Sequence, residues 1–173
     1  TSASYTLMQA DVGSVLTVTA SYTDAQSTGE SLTSAATSSV ANVNDAPSGS
    51  VTISGTATED QTLTAVTSTI ADEDGLGSFI YQWQESSDGG TGWSDISGAT
   101  LISYTLTQSE VGKVVRVGVG YTDGQGTGES VSSAATGSVV NVNDEPSGSV
   151  TVSGTATEDE TLTAVTSTIA DED

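Results

Sequence analysis

Carboxylates are the side chains most able to do chemistry in this chain, and they come in short, recurring runs. Asp72-Glu73-Asp74 returns as Asp171-Glu172-Asp173, and Asn44-Asp45 returns as Asn143-Asp144. Glu59 and Asp60 form a pair, and single acids stand at Glu110, Asp123 and Glu129. Against 23 Asp and Glu there are two basic residues, Lys113 and Arg116, with no His and no Cys, for a formal charge of −21. Oxygen donors on loops, without imidazole or thiolate, suit a hard cation, Ca²⁺ rather than Zn²⁺ or copper. Two carboxylates ~4 Å apart repel by about 1 kcal/mol in water and by several times more when partly desolvated. Runs that converge on one place therefore call for a cation between them.

Other chemistries find little support. Nucleophilic catalysis by Ser or Thr needs a base, and there is no His. Lys113 is replaced by Ser14 in the other copy of its segment. Paired acids would serve glycoside hydrolysis only across a sugar cleft, which a small β module does not offer, so the chain is not expected to be an enzyme. Two bases cannot cover phosphates, so nucleic acid and anionic membrane surfaces are poor partners. No stretch reaches the ~18 apolar residues of a membrane helix, and disulfides are excluded. Asp72 does not open an EF-hand, because the twelfth position is Trp83 and not Glu. The glycine-rich run 123–128 lies between two strands, with no following helix to cradle a phosphate.

The elements that must position these acids follow from a repeat. Residues 1–74 align without a gap on residues 100–173, an offset of 99, and match at 54 of 74 positions. Such a period marks an array of similar modules. Taking Asn-Asp-x-Pro as punctuation, residues 46–144 form a complete module. Residues 1–45 are the last three strands of one before it, and residues 145–173 the first two strands of one after it. The sequence thus reads as a window on a longer array. Alternation at 114–121 places Val115, Val117, Val119 and Tyr121 on one face, and Leu16, Val18, Ala20 and Tyr22 repeat the pattern. Seven strands are expected in the complete module, near 50–54, 62–70, 78–85, 91–95, 102–107, 113–121 and 130–142. With Trp83 on the third as core, the predicted fold class is all-β, a tandem array of seven-stranded Greek-key sandwiches.

In that topology the loops after the second and sixth strands gather at the pole where the linker enters, and those after the first and fifth gather at the opposite pole. Asp72, Asp74, Asp123, Asn44 and Asp45 then meet at one joint. Glu59, Glu110, Asn143, Asp144, Asp171 and Asp173 meet at the next.

The run Tyr81-Gln82-Trp83, Ile96-Ser97-Gly98-Ala99-Thr100, Tyr104-Thr105-Leu106-Thr107, Val111-Gly112-Lys113 and Tyr121-Thr122-Asp123 resembles a bacterial immunoglobulin-like repeat. With the Asn-Val-Asn-Asp-x-Pro linker, it is similar to the cadherin-like tandem repeats of giant type I-secreted, RTX-type surface adhesins. The resemblance implies an extracellular extender holding a tip away from a bacterial cell. It also implies that the ions sit as in cadherin linkers, with Asp11 joining the first set of ligands and Glu110 the second. A single acid in each of these loops departs from the cadherin Asp-Arg-Glu. The expected function is a spacer whose joints are stiffened by Ca²⁺ and whose partners are neighbouring repeats, with end-to-end self-association possible. Two other readings stand beside it: recognition of a glycan or protein through Trp93, and a filament in which strands of 145–173 complete the half-module 1–45 of another copy.

Overall fold

A computed structural model describes residues 4–173 and is almost entirely β, with two one-turn 3₁₀ segments at Gln9–Asp11 and Gln108–Glu110. In chain order the strands are β1 (Thr19–Thr23), β2 (Gly29–Thr33), β3 (Thr52–Ser54), β4 (Thr62–Val66), β5 (Ile80–Ser86), β6 (Ser94–Asp95), β7 (Ser103–Thr105), β8 (Val114–Thr122), β9 (Gly128–Ser132), β10 (Thr151–Ser153) and β11 (Thr163–Val165). No helix among the described residues is long and apolar enough to cross a membrane.

The chain divides into two compact units. The larger comprises Ser50–Thr69, Phe79–Gly120 and Ser130–Asp173. It holds a three-stranded antiparallel sheet in the order β3-β4-β7 and most of a four-stranded sheet in the order β6-β5-β8-β9. The register pairs Trp83 with Val117, and Tyr81 with Val119, so the predicted apolar positions share one face. Trp83, Leu63, Leu106, Val115 and Val117 are fully enclosed. The Trp83 indole N–H donates to the Leu101 carbonyl at 3.0 Å, and its ring lies 6.1 Å from that of Tyr104. Trp83 is thus the core tryptophan, with its one polar atom satisfied as burial requires. β10 and β11 form a separate hairpin-like pair within this unit, with Val152 opposite Ala164.

The smaller unit comprises residues up to Gly49 with Ile70–Ser78 and Tyr121–Glu129. Its β1–β2 ribbon pairs Tyr22 with Glu30 and Ala20 with Leu32. The expectation that Val18, Ala20 and Tyr22 face inward is corrected: Val18 is 68% exposed and Tyr22 63%, whereas Val117 and Tyr121 are buried. Alternation in sequence marks a face; only a covering sheet buries it.

Strand bounds also differ from expectation: those predicted at 50–54, 62–70 and 102–107 shorten to Thr52–Ser54, Thr62–Val66 and Ser103–Thr105, and two others change more. The strand predicted at 91–95 shortens to Ser94–Asp95, because Asp88 ties the preceding residues into a turn by accepting from the N–H groups of Thr91 and Gly92 at 2.9 Å. These bonds, with one from Ser86 Oγ, hold the exposed Asp88 carboxyl below its usual range; the Gly92 bond has the largest effect. The strand predicted at 130–142 ends at Ser132. Beyond it, three residues advance for every two on β8. Ser133 and Thr136 donate backbone N–H to Val117 and Val115, while their hydroxyls accept N–H from the same two residues. These are bulges bridged by hydroxyls. The same bonds recur 99 residues earlier, with Ser34 against Val18 and Thr37 against Leu16.

The paired copies give a direct test of burial. Leu106→Ala is expected to cost about 2–5 kcal/mol of unfolding free energy, while its equivalent Leu7→Ala, at a site 53% exposed, costs less than about 0.5 kcal/mol. Urea unfolding of the two variants checks this.

Candidate cation sites in the acidic loops

In the larger unit, Glu59, Asp144 and Asp173 each present a carboxylate oxygen, and the three oxygens lie within 4.8 Å of one another. Each comes from a different segment. Glu59 follows β3 in a tight turn in which Asp60 adopts φ +61°, a left-handed conformation that Asp tolerates better than most residues. That turn is pinned by bonds from Glu59 N–H to the Val140 carbonyl and from Asp60 N–H to the Leu106 carbonyl. Asp144 lies in the Asn-Val-Asn-Asp segment and Asp173 in the loop after β11. Glu59 is 3% exposed, and its one backbone donor is Val142 N–H at 3.0 Å. Asp173 accepts from Asp144 N–H at 3.0 Å and from Asn141 Nδ2 at 2.6 Å. Asp171 accepts from the Asp173 N–H, closing an Asx turn, and Asn143 Nδ2 caps the Asp144 carbonyl. These donors fix the Glu59 and Asp173 carboxylates yet leave each with unused lone pairs, since two oxygens offer about four acceptor sites.

No side-chain cation offsets this group. Lys113 pairs with Glu85 at 2.8 Å. Arg116 bonds Gln84 at 2.7 Å and lies 4.3 Å from the centre of the Trp93 ring. Both bases of the chain are therefore engaged with β5, Arg116 with Gln84 and Lys113 with Glu85 near the end of that strand.

The smaller unit carries the equivalent acids. Asp74, buried at 4% exposure, accepts from Asp45 N–H at 2.8 Å, as Asp173 does from Asp144, and from Gln9 Nε2 at 2.7 Å. Asp72 accepts from Asp74 N–H and, at 2.6 Å, from the Tyr121 hydroxyl. Burial, followed by the Asp72 bond and the charges of Asp72, Glu129 and Asp123, pushes the Tyr121 hydroxyl pKa well above its ordinary value. Asn44 Nδ2 donates to Glu129 at 2.8 Å. Asp123, 6% exposed, uses Oδ1 to accept from Gln125 and Thr127 N–H, while Oδ2 is buried with no hydrogen-bond partner. Its loop is tied to the Asp72–Asp74 loop by Gly124 N–H, which bonds the Asp74 carbonyl at 3.0 Å. A side chain at Gly124 would meet that carbonyl oxygen at 2.6 Å, so glycine is required there. A buried carboxylate oxygen without a donor is costly unless a cation serves it.

Asp11 and Glu110 are placed differently from the other predicted ligands. Each sits at the third position of its 3₁₀ turn and caps it: Glu110 accepts from Thr107 N–H and Oγ at 2.9 Å, and Asp11 accepts from Met8 N–H at 2.9 Å. Each also takes a tyrosine hydroxyl, Tyr5 to Asp11 at 3.0 Å and Tyr104 to Glu110. Glu110 is not among the three converging acids of its unit. The tyrosine partners and Gln9 were not legible as site residues. The one available signal was that Tyr, Gln and the acid recur together at the 99-residue offset.

Residues 48–144, more than half of the chain, match a family described as a domain of unknown function, DUF8696. The chain belongs to that family. No curated protein matches it.

The tyrosine clamps carry a pH dependence. Burial, then the charge and hydrogen bond of Glu110, push the Tyr104 hydroxyl up to about 12 from an ordinary 10.0. A raised folded value stabilises the fold fully below the unfolded pKa and less as pH climbs toward the folded one. The urea midpoint is therefore expected to fall between about pH 10 and 12, and to fall less steeply in Tyr104→Phe; midpoints measured across that range check it.

Proposed function

We propose that this DUF8696 member is a structural extender, a tandem array of spacer modules from a large, extracellular bacterial surface adhesin, with Ca²⁺ at the acidic joints setting its stiffness. The observation that carries this reading is the convergence of Glu59, Asp144 and Asp173 within 4.8 Å, one of them 3% exposed, with both bases of the chain engaged elsewhere. The donor set fits the ion: carboxylate oxygens on loops, with amide carbonyls nearby and no nitrogen or sulfur ligand. In the larger unit Glu59, Asp144 and Asp173 would hold it. The equivalent acids of the smaller unit, Asp45, Asp72, Asp74 and Asp123, do not converge in this way among the described residues. The bound ion supplies charge neutralisation and nothing else.

The fold reading supports the role. Strands β3–β9 divide into β3-β4-β7 and β6-β5-β8-β9, the strand distribution of an immunoglobulin-like or cadherin-like Greek-key sandwich, with the tryptophan on its third strand. We infer that each 99-residue repeat is one such module. The acids that converge come from the loop after a module's first strand, from the linker, and from the loop after the next module's second strand. Fixing those three carboxylates together therefore fixes one module to the next. The mechanism is linkage, since an ion that binds the ordered joint better than the open one stabilises the ordered one. At free Ca²⁺ of ~100 Kd the gain is about 2.7 kcal/mol per site. Extracellular modules bind typically at 10⁻⁴–10⁻³ M, which would leave the array loose inside a cell and stiff outside, suiting type I export.

Recognition through Trp93 is the weaker reading, because the Arg116 guanidinium already covers that ring at 4.3 Å.

Millimolar Ca²⁺ is expected to raise the melting temperature by roughly 1–5 °C over the EDTA-treated protein. Glu59→Gln is expected to lose most of that rise and Asp60→Asn to keep it. Differential scanning calorimetry with and without Ca²⁺ decides, and an equal rise in all three proteins contradicts the assignment of Glu59.

A further inference from the structure

On the outer face of the sheet, β8 departs from its counterpart in the earlier copy of the repeat. Arg116, Gly118 and Gly120 stand where that copy has Thr17, Thr19 and Ser21, while the inward positions stay apolar in both. The register sets the three opposite Gln84, Gln82 and Ile80 of β5. Three polar groups on this face are held in place and unspent. Arg116 is fixed by its Nε bond to Gln84 at 2.7 Å and by the Trp93 ring at 4.3 Å, which leaves its two terminal nitrogens outward. The Gln82 amide donates to the carbonyls of Trp83 at 2.8 Å and Ile96 at 2.9 Å, which fixes its Oε1. The third group is a hydroxyl. Thr19 Oγ1 and Thr33 Oγ1 share a hydrogen bond of 2.7 Å, whereas Gly118 has no hydroxyl to offer the equivalent Ser132, whose Oγ lies 3.8 Å from where a Cβ of residue 118 would stand. Among the described residues no hydrogen bond reaches the Arg116 terminal nitrogens, Gln82 Oε1 or Ser132 Oγ. The fold does not ask for glycine at 118. Its φ is not positive, an added Cβ would meet nothing closer than 3.7 Å, and the earlier copy makes the same bulge with Thr19 there. Glycine inside a strand costs stability, and one that the backbone does not require marks a close approach by another molecule.

We propose that this face binds an acidic sugar, a glycan unit that carries a carboxylate. Charge selects the ligand. Of the two bases, Lys113 is committed to an ion pair with Glu85, and Arg116 is not, so its guanidinium is the one unmatched cation on a chain of formal charge −21. Its terminal nitrogens take the carboxylate through the paired bonds that a planar guanidinium favours. Gln82 Oε1 accepts from one ring hydroxyl and Ser132 Oγ bonds another, and the C–H face of the ring lies on the bare backbone of Gly118. Trp93 serves by holding Arg116 and is not itself the platform. Because Arg116 and Gln82 are already oriented, binding orders little of the protein. A peptide strand does not fit, since β8 has β5 and β9 on its two edges and no ladder position is open. A second copy of the chain would bring another 21 negative charges to the contact. For a short sugar at physiological salt, the more distant acids are screened beyond about 8 Å, and the pairing with Arg116 governs.

Isothermal titration of the full chain with a galacturonic acid trimer, and with its uncharged methyl ester, tests this. EDTA in the buffer keeps calcium from bridging sugar and protein, so the outcome does not depend on the calcium reading above. Saturable binding of the trimer is expected, with affinity about tenfold lower for the ester and for Arg116→Thr, since one charged hydrogen-bonded pair is lost in each case. Gly118→Thr, which restores the residue of the earlier copy, is expected to abolish binding while circular dichroism and the melting temperature show the fold intact. Absence of binding by the trimer overturns the proposal. Equal affinity for acid and ester overturns it as well, because the carboxylate then plays no part. Binding that survives unchanged in Arg116→Thr and Gly118→Thr places the sugar elsewhere and overturns this face as the site.

Discussion

Like-charge repulsion is the constraint on which the rest of this structure depends. A chain with 23 carboxylates and two bases must either spread its acids or give them partners. It does both. Asp88, Asp11 and Glu110 are consumed in turns and caps, where backbone N–H groups and hydroxyls satisfy them. Lys113 neutralises Glu85 on the sheet face. What is left over includes Glu59, Asp144 and Asp173, whose carboxylates converge in one unit, and the unpartnered oxygen of Asp123 in the other. Burial of Glu59, Asp74 and Asp123 raises the cost of their charge and makes a neutralising cation the simplest physical account of their placement.

The hydrophobic side of the structure follows a complementary logic. A single repeat supplies its own core because β5 brings Trp83 between partners from β4, β7 and β8. The same apolar pattern recurs near residues 7–18 and 150–162, where Leu7, Val18, Val150 and Leu162 are exposed.

Much of this was legible in the sequence for local reasons. Alternation located β5 and β8, turn residues separated the strands, and the 99-residue offset showed that one local solution is used repeatedly. The burial of Trp83 followed from its place on the third strand. Non-local facts were out of reach. Val18 and Val117 carry the same pattern, and only the presence of a partner sheet separates 68% exposure from none. Asp11 and Glu110 resembled linker ligands by position, yet the Thr107–Glu110 capping box and the Tyr104 hydroxyl give Glu110 a local role. The strand expected through 142 broke at Ser132 because serine and threonine hydroxyls can replace backbone acceptors, which a polarity pattern does not reveal.

The most direct test of the account is small-angle X-ray scattering of the calcium-saturated and EDTA-treated chain, read alongside isothermal titration of the same sample with Ca²⁺. The account predicts saturable binding at millimolar strength or tighter, with a scattering profile that becomes longer and narrower in its distance distribution as the ion binds. No heat of binding and superimposable profiles would contradict it, leaving the converging carboxylates as solvated loops.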